Sequence, residues 1–180
     1  INNSLAMTHT AVNTTWFSVM DLDFPLNGGA LEMIDVIAPS GLVVNPEYPH
    51  SSGFATVDFF QETAEACWKA LTEVRPKNTC AGYGRWVRPI TSGTDPETDE
   101  PYILFLLSVM GGGGAIWGQD GANLIGGPTI FGGLRAPDPE MDETRYPVRF
   151  EKMELRTDSG GAGRWRGGLG ADVVVSPIDH

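Results

Sequence analysis

The stretch VRFEKMELRTDSGGAGRWRGGLGADVVVS, residues 148–176, decides how the second half of this chain folds. Its first part, 148–157, alternates apolar and charged side chains, which predicts a half-exposed strand. Its last part, 171–176, contains three consecutive valines and predicts a second strand, which has no evident partner after it and is expected to pair elsewhere. Between them lies the glycine-dense stretch 160–170, where a backbone without side chains can turn tightly or pack closely.

Two segments nearer the start of the chain have the spacing of helices. Over 4–20 the apolar residues fall near helical intervals, and Ser4 can cap the first turn. Over 56–74 the pattern is clearer, because apolar residues recur at steps of three and four while charged residues occupy the other positions. The apolar positions of this second helix are Val57, Phe60, Ala64, Cys67, Trp68 and Leu71.

The remaining segments predict strands and turns. Residues 31–38 and 42–44 are apolar enough for two short strands separated by Pro39-Ser40-Gly41, and 102–110 is expected to be a buried strand. Residues 93–101 predict an exposed loop or hairpin tip. The fold class is therefore α+β: two main helices packed on a mixed, glycine-interrupted β-sheet, which we expect to be part of a larger domain.

Composition excludes several classes of function. The 180 residues carry a formal charge of −11 with only 12 Lys and Arg, which are largely scattered, so no basic surface for nucleic acid is expected. The two cysteines lack the spacing of a disulfide framework or a zinc site, which favours the reducing cytoplasm. The longest apolar run is too short to cross a bilayer, so no membrane role is expected.

Neither glycine-dense stretch predicts a nucleotide site. Gly111-Gly112-Gly113-Gly114 could cradle a phosphate, but the lysine of a P-loop is missing. The stretch 161–167 fits a dinucleotide fingerprint only loosely, and the residues after it predict a strand, not the helix whose N-terminus would hold a pyrophosphate. Tight turns and close backbone packing are the favoured interpretation.

Candidates for a metal site and for a nucleophile are equally weak. His9 lies near Asp21 and Asp23 in sequence, but a helix would separate His9 from Asp21 by about 18 Å. His50 and His180 lie far from that group. Cys67 falls on the apolar face of its helix, as expected of a core residue, and Ser159 lies in a turn with no histidine nearby. We predict no metal site here and assign no catalytic residue.

Three blocks of sequence, taken together and in order, resemble the C-terminal half of the hydantoinase B/oxoprolinase family. That family includes N-methylhydantoinase, 5-oxoprolinase and the acetone and acetophenone carboxylases. The first block is Asp23-Phe24-Pro25-Leu26-Asn27-Gly28-Gly29-Ala30, with Val36-Ile37-Ala38-Pro39-Ser40-Gly41 and Asn45-Pro46 after it. The second is Gly111-Gly112-Gly113-Gly114-Ala115 with Asp120-Gly121. The third and most specific runs from Glu143 and Tyr146-Pro147-Val148 to 158–170.

The resemblance implies that residues 1–180 are the C-terminal segment of a hydantoinase B/oxoprolinase-like domain. The N-terminal half, which carries the metal ligands of such proteins, is expected to be absent from this sequence. The family also implies a partner: a hydantoinase A-like nucleotide-binding subunit or domain that activates a carbonyl oxygen with ATP. We therefore expect a divalent metal and ATP in the complete assembly and no cofactor bound by this chain.

The resemblance implies that this chain is a segment or subunit of an ATP-dependent cyclic-amide hydrolase. The chain is expected to be inactive alone, and the substrate of the complete enzyme is expected to be a small lactam. Two alternatives stay open: a subunit of an ATP-dependent ketone carboxylase, and a non-catalytic scaffold chain of such a complex. Arg164 and Arg166 are the best candidates for binding a substrate or anion, because guanidinium groups match phosphate and carboxylate. The alternative interpretation is that both are surface arginines in salt bridges. Asp158 and Ser159 lie beside them in the same motif and complete the candidate set.

Overall fold

The computed structural model describes residues 2–21, 23–107, 109–127 and 136–178. They form two compact units, one made of Ile1–Gly82 with Ile116–Gly118 and the other of Tyr83–Ala115 with Gln119–His180. Among the described residues, no helix has the length and apolar character that crossing a membrane requires.

The first unit begins with helix α1, Leu5–Val19, which confirms the helix predicted over 4–20. The Ser4 hydroxyl accepts a hydrogen bond from the Met7 amide, so Ser4 is the N-cap that its residue type predicts. The side chains that α1 buries are small or β-branched, which allows a neighbouring helix to approach closely. They are Thr8, Ala11, Thr15 and Val19.

The second main helix is the partner of α1. A short π-helix, Ala55–Phe59, leads into helix α3, Phe60–Leu71, so the helix predicted over 56–74 is confirmed with one irregular turn at its start. Its buried residues Phe60, Ala64 and Trp68 recur every four positions and form one stripe. The α1 and α3 helices pack against each other, and the indole N–H of Trp68 donates to the Ser18 hydroxyl at 2.8 Å.

The two strands predicted over 31–38 and 42–44 are wrong. The chain instead forms a four-residue helix, α2, Gly28–Leu31, capped by Asn27, and then runs without a strand to an isolated bridge between Leu42 and Asn45. Several apolar side chains of this segment face solvent, as Ile37 shows with 88% of its surface exposed. Apolar composition therefore predicted a burial that this chain alone does not supply.

The strands lie in the second unit and form two antiparallel pairs. Strands β1, Ile90–Thr94, and β2, Pro101–Phe105, form a hairpin whose tip lies in the predicted exposed loop. Strands β3, Val148–Leu155, and β4, Ala171–Pro177, pair from Val148 with Pro177 to Leu155 with Ala171. A short helix, α4, Pro139–Glu143, precedes β3.

The predicted α+β class is confirmed, and the structure adds how the strands are arranged. Instead of one mixed sheet, the described strands form two separate two-stranded sheets. Strand β4 pairs with β3, so the partner that 171–176 was expected to find elsewhere lies earlier in the same unit. Each pair is antiparallel because its strands are consecutive along the chain and need no long crossover between them.

A small core joins the two hairpins of the second unit. Leu104 on β2, Leu106 just after it and Val148 on β3 are each at most 5% exposed. Partly buried side chains from β2, β3, β4 and the turn before β3 surround this cluster, namely Tyr102, Phe150, Val175 and Tyr146. The buried strand predicted over 102–110 is only partly confirmed. Strand β2 ends at Phe105, Leu104 is its only buried residue, and the described residues 106, 107, 109 and 110 belong to no strand.

We predict that replacing Ala64 by leucine destabilises the first unit. Ala64 is 1% exposed in the α3 stripe, so extra methyl groups would force α1 and α3 apart at a cost of about 1–3 kcal/mol. Urea unfolding of the variant measures this change. Ala70→Leu is the matched control, because Ala70 lies on the exposed side of the same helix. Equal midpoints for the two variants would contradict the proposed packing.

Candidate functional site

The second unit is built around glycines whose backbones pack directly on one another. A Cβ on Gly84 would lie 2.9 Å from the Cα of Gly111, closer than real Cβ atoms approach their neighbours. A Cβ on Gly112 would overlap the carbonyl of Gly168, and one on Gly168 would overlap the carbonyl of Ala122. Only glycine fits these positions, because the space that a side chain needs is filled by another segment of backbone.

Backbone hydrogen bonds join these segments. The Gly84 amide donates to the Gly112 carbonyl at 2.8 Å, and the Gly113 amide donates to the Ala122 carbonyl at 2.8 Å. The Gly168 amide in turn donates to the Gly113 carbonyl at 2.9 Å. Residues 111–113 are buried, so they do not cradle a phosphate from solvent. The interpretation of residues 111–113 as close backbone packing is confirmed. The glycine-dense stretch of the sequence that begins at Gly111 continues to Gly133, and its residues 128–133 lie outside the described residues.

The loop 158–170, which joins β3 to β4, rests on this glycine packing. The neck of the loop is closed by the Arg156 amide, which donates to the Gly170 carbonyl at 2.9 Å. The Ser159 hydroxyl accepts from the Gly170 amide at 3.0 Å and donates to the Arg156 carbonyl at 2.8 Å. Across the loop, the Gly167 amide donates to the Gly161 carbonyl. Ser159 therefore closes the loop with both of its hydrogen-bonding functions.

Asp158 and Arg166 are brought together by this loop. Asp158 adopts a left-handed conformation, φ 58°, which aspartate tolerates better than most residues. Its carboxylate accepts from the Nη2 of Arg166 at 3.1 Å, and the two side chains are 86% and 57% exposed. An ion pair this exposed contributes at most about 1 kcal/mol to stability. The order of the loop therefore comes from its backbone, not from this pair.

Arg164 is the second candidate cation of the loop. Its guanidinium carbon lies 4.9 Å from the centre of the Trp165 ring, a cation–π contact with its neighbour in sequence. Arg164 is exposed, and more than half of the Arg166 side chain is open to solvent. The structure thus places two arginines on one short, backbone-ordered loop, with Asp158 paired to one of them.

The loop can present hydrogen-bond donors to a ligand. A guanidinium carries five N–H donors, and the bond to Asp158 uses one of those on Arg166. Donors that remain suit a phosphate, a carboxylate or a carbonyl oxygen. No group in this loop is arranged as a nucleophile with a base, because the Ser159 hydroxyl already donates its proton to a backbone carbonyl.

Two residues without a predicted role hold the loop from outside. The Asp120 carboxylate accepts from the Arg166 amide at 2.8 Å, and the Asn123 side-chain oxygen accepts from the Leu169 amide at 2.8 Å. Asp120 belongs to the second motif block, which was the only signal that could have identified it. Asn123 belongs to no motif block and therefore carried no such signal. Sequence spacing could not reveal either contact, because each joins residues 46 positions apart.

The described residues do not fit a metal ion. Within them, no group of three or more His, Cys, Asp or Glu side chains is close enough to hold one. Asp21, the acidic neighbour considered for His9, forms an ion pair with Arg75 at 2.9 Å. His180 lies outside the described residues.

The two cysteines are free thiols in the first unit. Burial raises the pKa of the Cys67 thiol. Burial, with a further contribution from the charge of Glu65, raises the pKa of the Cys80 thiol to about 12. A raised thiol pKa leaves little thiolate near neutral pH, so neither cysteine is prepared for nucleophilic attack. Cys67 is only partly buried and is not among the buried residues of α3, so the prediction that it is a core residue is confirmed only in part.

Comparison with known proteins identifies the family. The family model for hydantoinase B/oxoprolinase matches residues 1–178, and the chain belongs to this family. The resemblance inferred from the three motif blocks is therefore confirmed.

Individual relatives are enzymes or enzyme subunits. The chain is 34% identical to the caprolactamase beta subunit of Pseudomonas jessenii over 159 residues, which are 87% of this chain and 27% of that protein. It is 31% identical to a putative D-/L-hydantoinase subunit of Pseudomonas sp. (strain NS671), with 86% of this chain and 25% of that protein covered. It is 33% identical to 5-oxoprolinase PfmaA of Pestalotiopsis fici, covering 94% of this chain and 13% of that protein.

Solved structures share the fold. The crystal structure of the ATP-dependent caprolactamase from Pseudomonas jessenii matches with a TM-score of 0.83 and 30% identity, over 98% of this chain and 31% of that one. A nucleotide-free acetone carboxylase matches with a TM-score of 0.81 and 19% identity, over 98% of this chain and 24% of that one. The chain thus spans about a third or less of the length of each of these relatives.

We predict that Gly168→Ala disrupts the second unit whereas Gly161→Ala does not. The added methyl at 168 would overlap the Ala122 carbonyl, and relieving that overlap by moving backbone costs on the order of 3 kcal/mol. The same methyl at 161 meets nothing within 4 Å, so this variant is the matched control in the same loop. Thermal unfolding followed by near-UV circular dichroism compares them. An unchanged transition in the first variant would contradict the close backbone packing.

Proposed function

We propose that this chain is a segment or subunit of an ATP-dependent cyclic-amide hydrolase and is inactive alone. The observation that carries the proposal is the 34% identity to the caprolactamase beta subunit across 87% of the chain. The likeness to the crystal structure of the ATP-dependent caprolactamase supports it, because that match extends over 98% of the chain. The substrate class that follows is a small lactam or hydantoin.

A ketone carboxylase is the second candidate function. It is favoured by the likeness to acetone carboxylase, whose TM-score of 0.81 is close to that of the caprolactamase. Sequence identity separates the two, since 19% supports a shared fold and no more, whereas 30% accompanies the caprolactamase match. The hydrolase is therefore our leading proposal.

Within this function, we assign substrate or anion binding to the loop 158–170. Arg166 is the central group, Arg164 the second cation, and Asp158 and Ser159 the residues that orient and close the loop. The support is physical: the pair of Asp158 with Arg166 is too exposed to stabilise the fold strongly, yet the backbone beneath it is tightly ordered. A rigid support under exposed charges is what ligand binding requires.

ATP and a divalent metal belong, in this proposal, to other parts of the assembly. We place residues 1–180 in the C-terminal part of a hydantoinase B/oxoprolinase-like domain, with the metal-binding half outside it and a hydantoinase A-like subunit or domain supplying the nucleotide site. The two free thiols favour a reducing, cytoplasmic location.

The exposed surface of segment 26–54 in the first unit supports the proposal that this chain contacts a partner. Several of its large apolar side chains are exposed, among them Tyr48 at 98%, Ile37 at 88% and Leu26 at 72%. Apolar side chains clustered in one exposed segment usually mark a contact with another protein surface. We propose that the N-terminal half of the family domain covers them. The scaffold hypothesis shares this feature, so assembly and turnover must be measured separately.

We predict ATP-dependent ring opening by the complete assembly. The polypeptide that carries this chain, combined with its nucleotide-binding partner, is expected to release phosphate from ATP when given a lactam or hydantoin, and none when given acetone with bicarbonate. Phosphate release and product analysis by mass spectrometry measure both reactions. This chain purified alone is expected to show neither activity. Phosphate release that depends on ketone and bicarbonate would select the carboxylase instead.

We predict that Arg166→Ala lowers kcat/KM of the assembly by about 10–100-fold. Loss of a charge-assisted hydrogen bond to the substrate accounts for a change of this size. Arg149→Ala is the control, because Arg149 is an exposed arginine on β3, outside the loop. Size-exclusion chromatography checks assembly in parallel. Lost turnover with an intact assembly is the outcome that supports a binding role for Arg166. Dissociation of the subunits would favour the scaffold hypothesis and contradict that role.

A further inference from the structure

Arg166 is held by its backbone on both sides. Its amide donates to the Asp120 carboxylate at 2.8 Å, and its carbonyl accepts from the Gly121 amide at 2.8 Å. Fixing the peptide groups on both sides of a Cα atom fixes the direction of its Cα–Cβ bond. The side chain of Arg166 therefore leaves the loop in a direction set by two consecutive residues of another segment.

The same arrangement repeats three residues further along both segments. The Leu169 amide donates to the Asn123 side-chain oxygen at 2.8 Å, and the Leu169 carbonyl accepts from the Leu124 amide at 3.0 Å. Arg166 and Leu169 are therefore held in the same way, each by one hydrogen bond from its amide and one to its carbonyl. Of these two residues only Arg166 has a charged side chain.

We propose that Asp120 is a positioning residue that sets the anion affinity of Arg166, whereas Asn123 only anchors the loop. This inference rests on the proposed binding role of the loop. The Asp120 carboxylate acts through the Arg166 amide and does not touch the ligand. A guanidinium whose backbone is held in place loses less conformational freedom when it binds an anion than one on a mobile loop. Removing the hydrogen bond between the Asp120 carboxylate and the Arg166 amide therefore weakens anion binding.

The conservative variant separates positioning from charge. Asp120→Asn keeps a side-chain oxygen that can accept from the Arg166 amide but removes the negative charge. Asp120→Ala removes the acceptor altogether. Asn123→Ala removes the equivalent acceptor three residues away and is the matched control for a general loss of loop order.

The experiment uses inorganic phosphate as the probe and the complete assembly as the protein. Phenylglyoxal labels exposed arginines, and mass spectrometry of the Arg166 peptide measures how much phosphate is needed to halve its labelling rate. We expect Asp120→Ala to raise that concentration at least fivefold, with Asp120→Asn and Asn123→Ala within twofold of the unmodified protein. This pattern supports the positioning role.

Three other outcomes overturn the inference and differ in what they say of the proposed function. If phosphate protects Arg166 equally in the unmodified protein and in Asp120→Ala, the binding role of the loop stands and the role of Asp120 fails. If Asn123→Ala weakens protection as much as Asp120→Ala, the effect is general loop order. If phosphate protects Arg166 in none of the proteins, the anion-binding role of the loop fails together with this inference.

Discussion

Direct contact between glycine backbones is the constraint on which the second unit depends. Gly84 meets Gly111, Gly112 meets Gly168, and Gly168 meets Ala122, in each case closer than a side chain would allow. Hydrogen bonds between the same segments satisfy the amides and carbonyls that this packing buries, as burial of backbone requires. The glycine positions therefore accept no other residue, because a single methyl group would collide with backbone, which cannot rotate away as a side chain can.

That packing fixes the backbone from which the exposed charged side chains extend. Surface ion pairs order side chains weakly, and the pair of Asp158 with Arg166 is mostly exposed. The loop gains its order from the bonds beneath it: Ser159 at its neck, and Asp120 and Asn123 along its side. The groups that order the loop are thus different from the guanidinium groups of Arg164 and Arg166, for which we propose ligand binding, so these guanidinium groups are not needed to hold the loop together.

The first unit is stabilised in a different way. Its helices α1 and α3 pack through small and β-branched side chains on one helix and a four-residue stripe on the other, with Trp68 bonded to Ser18 between them. Beside this helix pair, the segment 26–54 leaves large apolar side chains in solvent. The relatives are at least about three times as long as the region that matches this chain. We expect the surface that covers these side chains to lie in the part outside the matched region.

Local sequence pattern determined the two main helices, the hairpin tip over 93–101, the strand that begins at Val148 and the family. Helix periodicity, turn residues and the glycine motif all depend on residues that are close together in the sequence. Tertiary structure alone decided that 31–44 forms no strands, since apolar composition does not reveal whether a burying surface lies within the chain. It also decided which strand pairs with β4, and that Asp120 and Asn123 support a loop 46 positions away. Such contacts depend on the approach of distant backbone segments, and no spacing along the sequence encodes their distance in space.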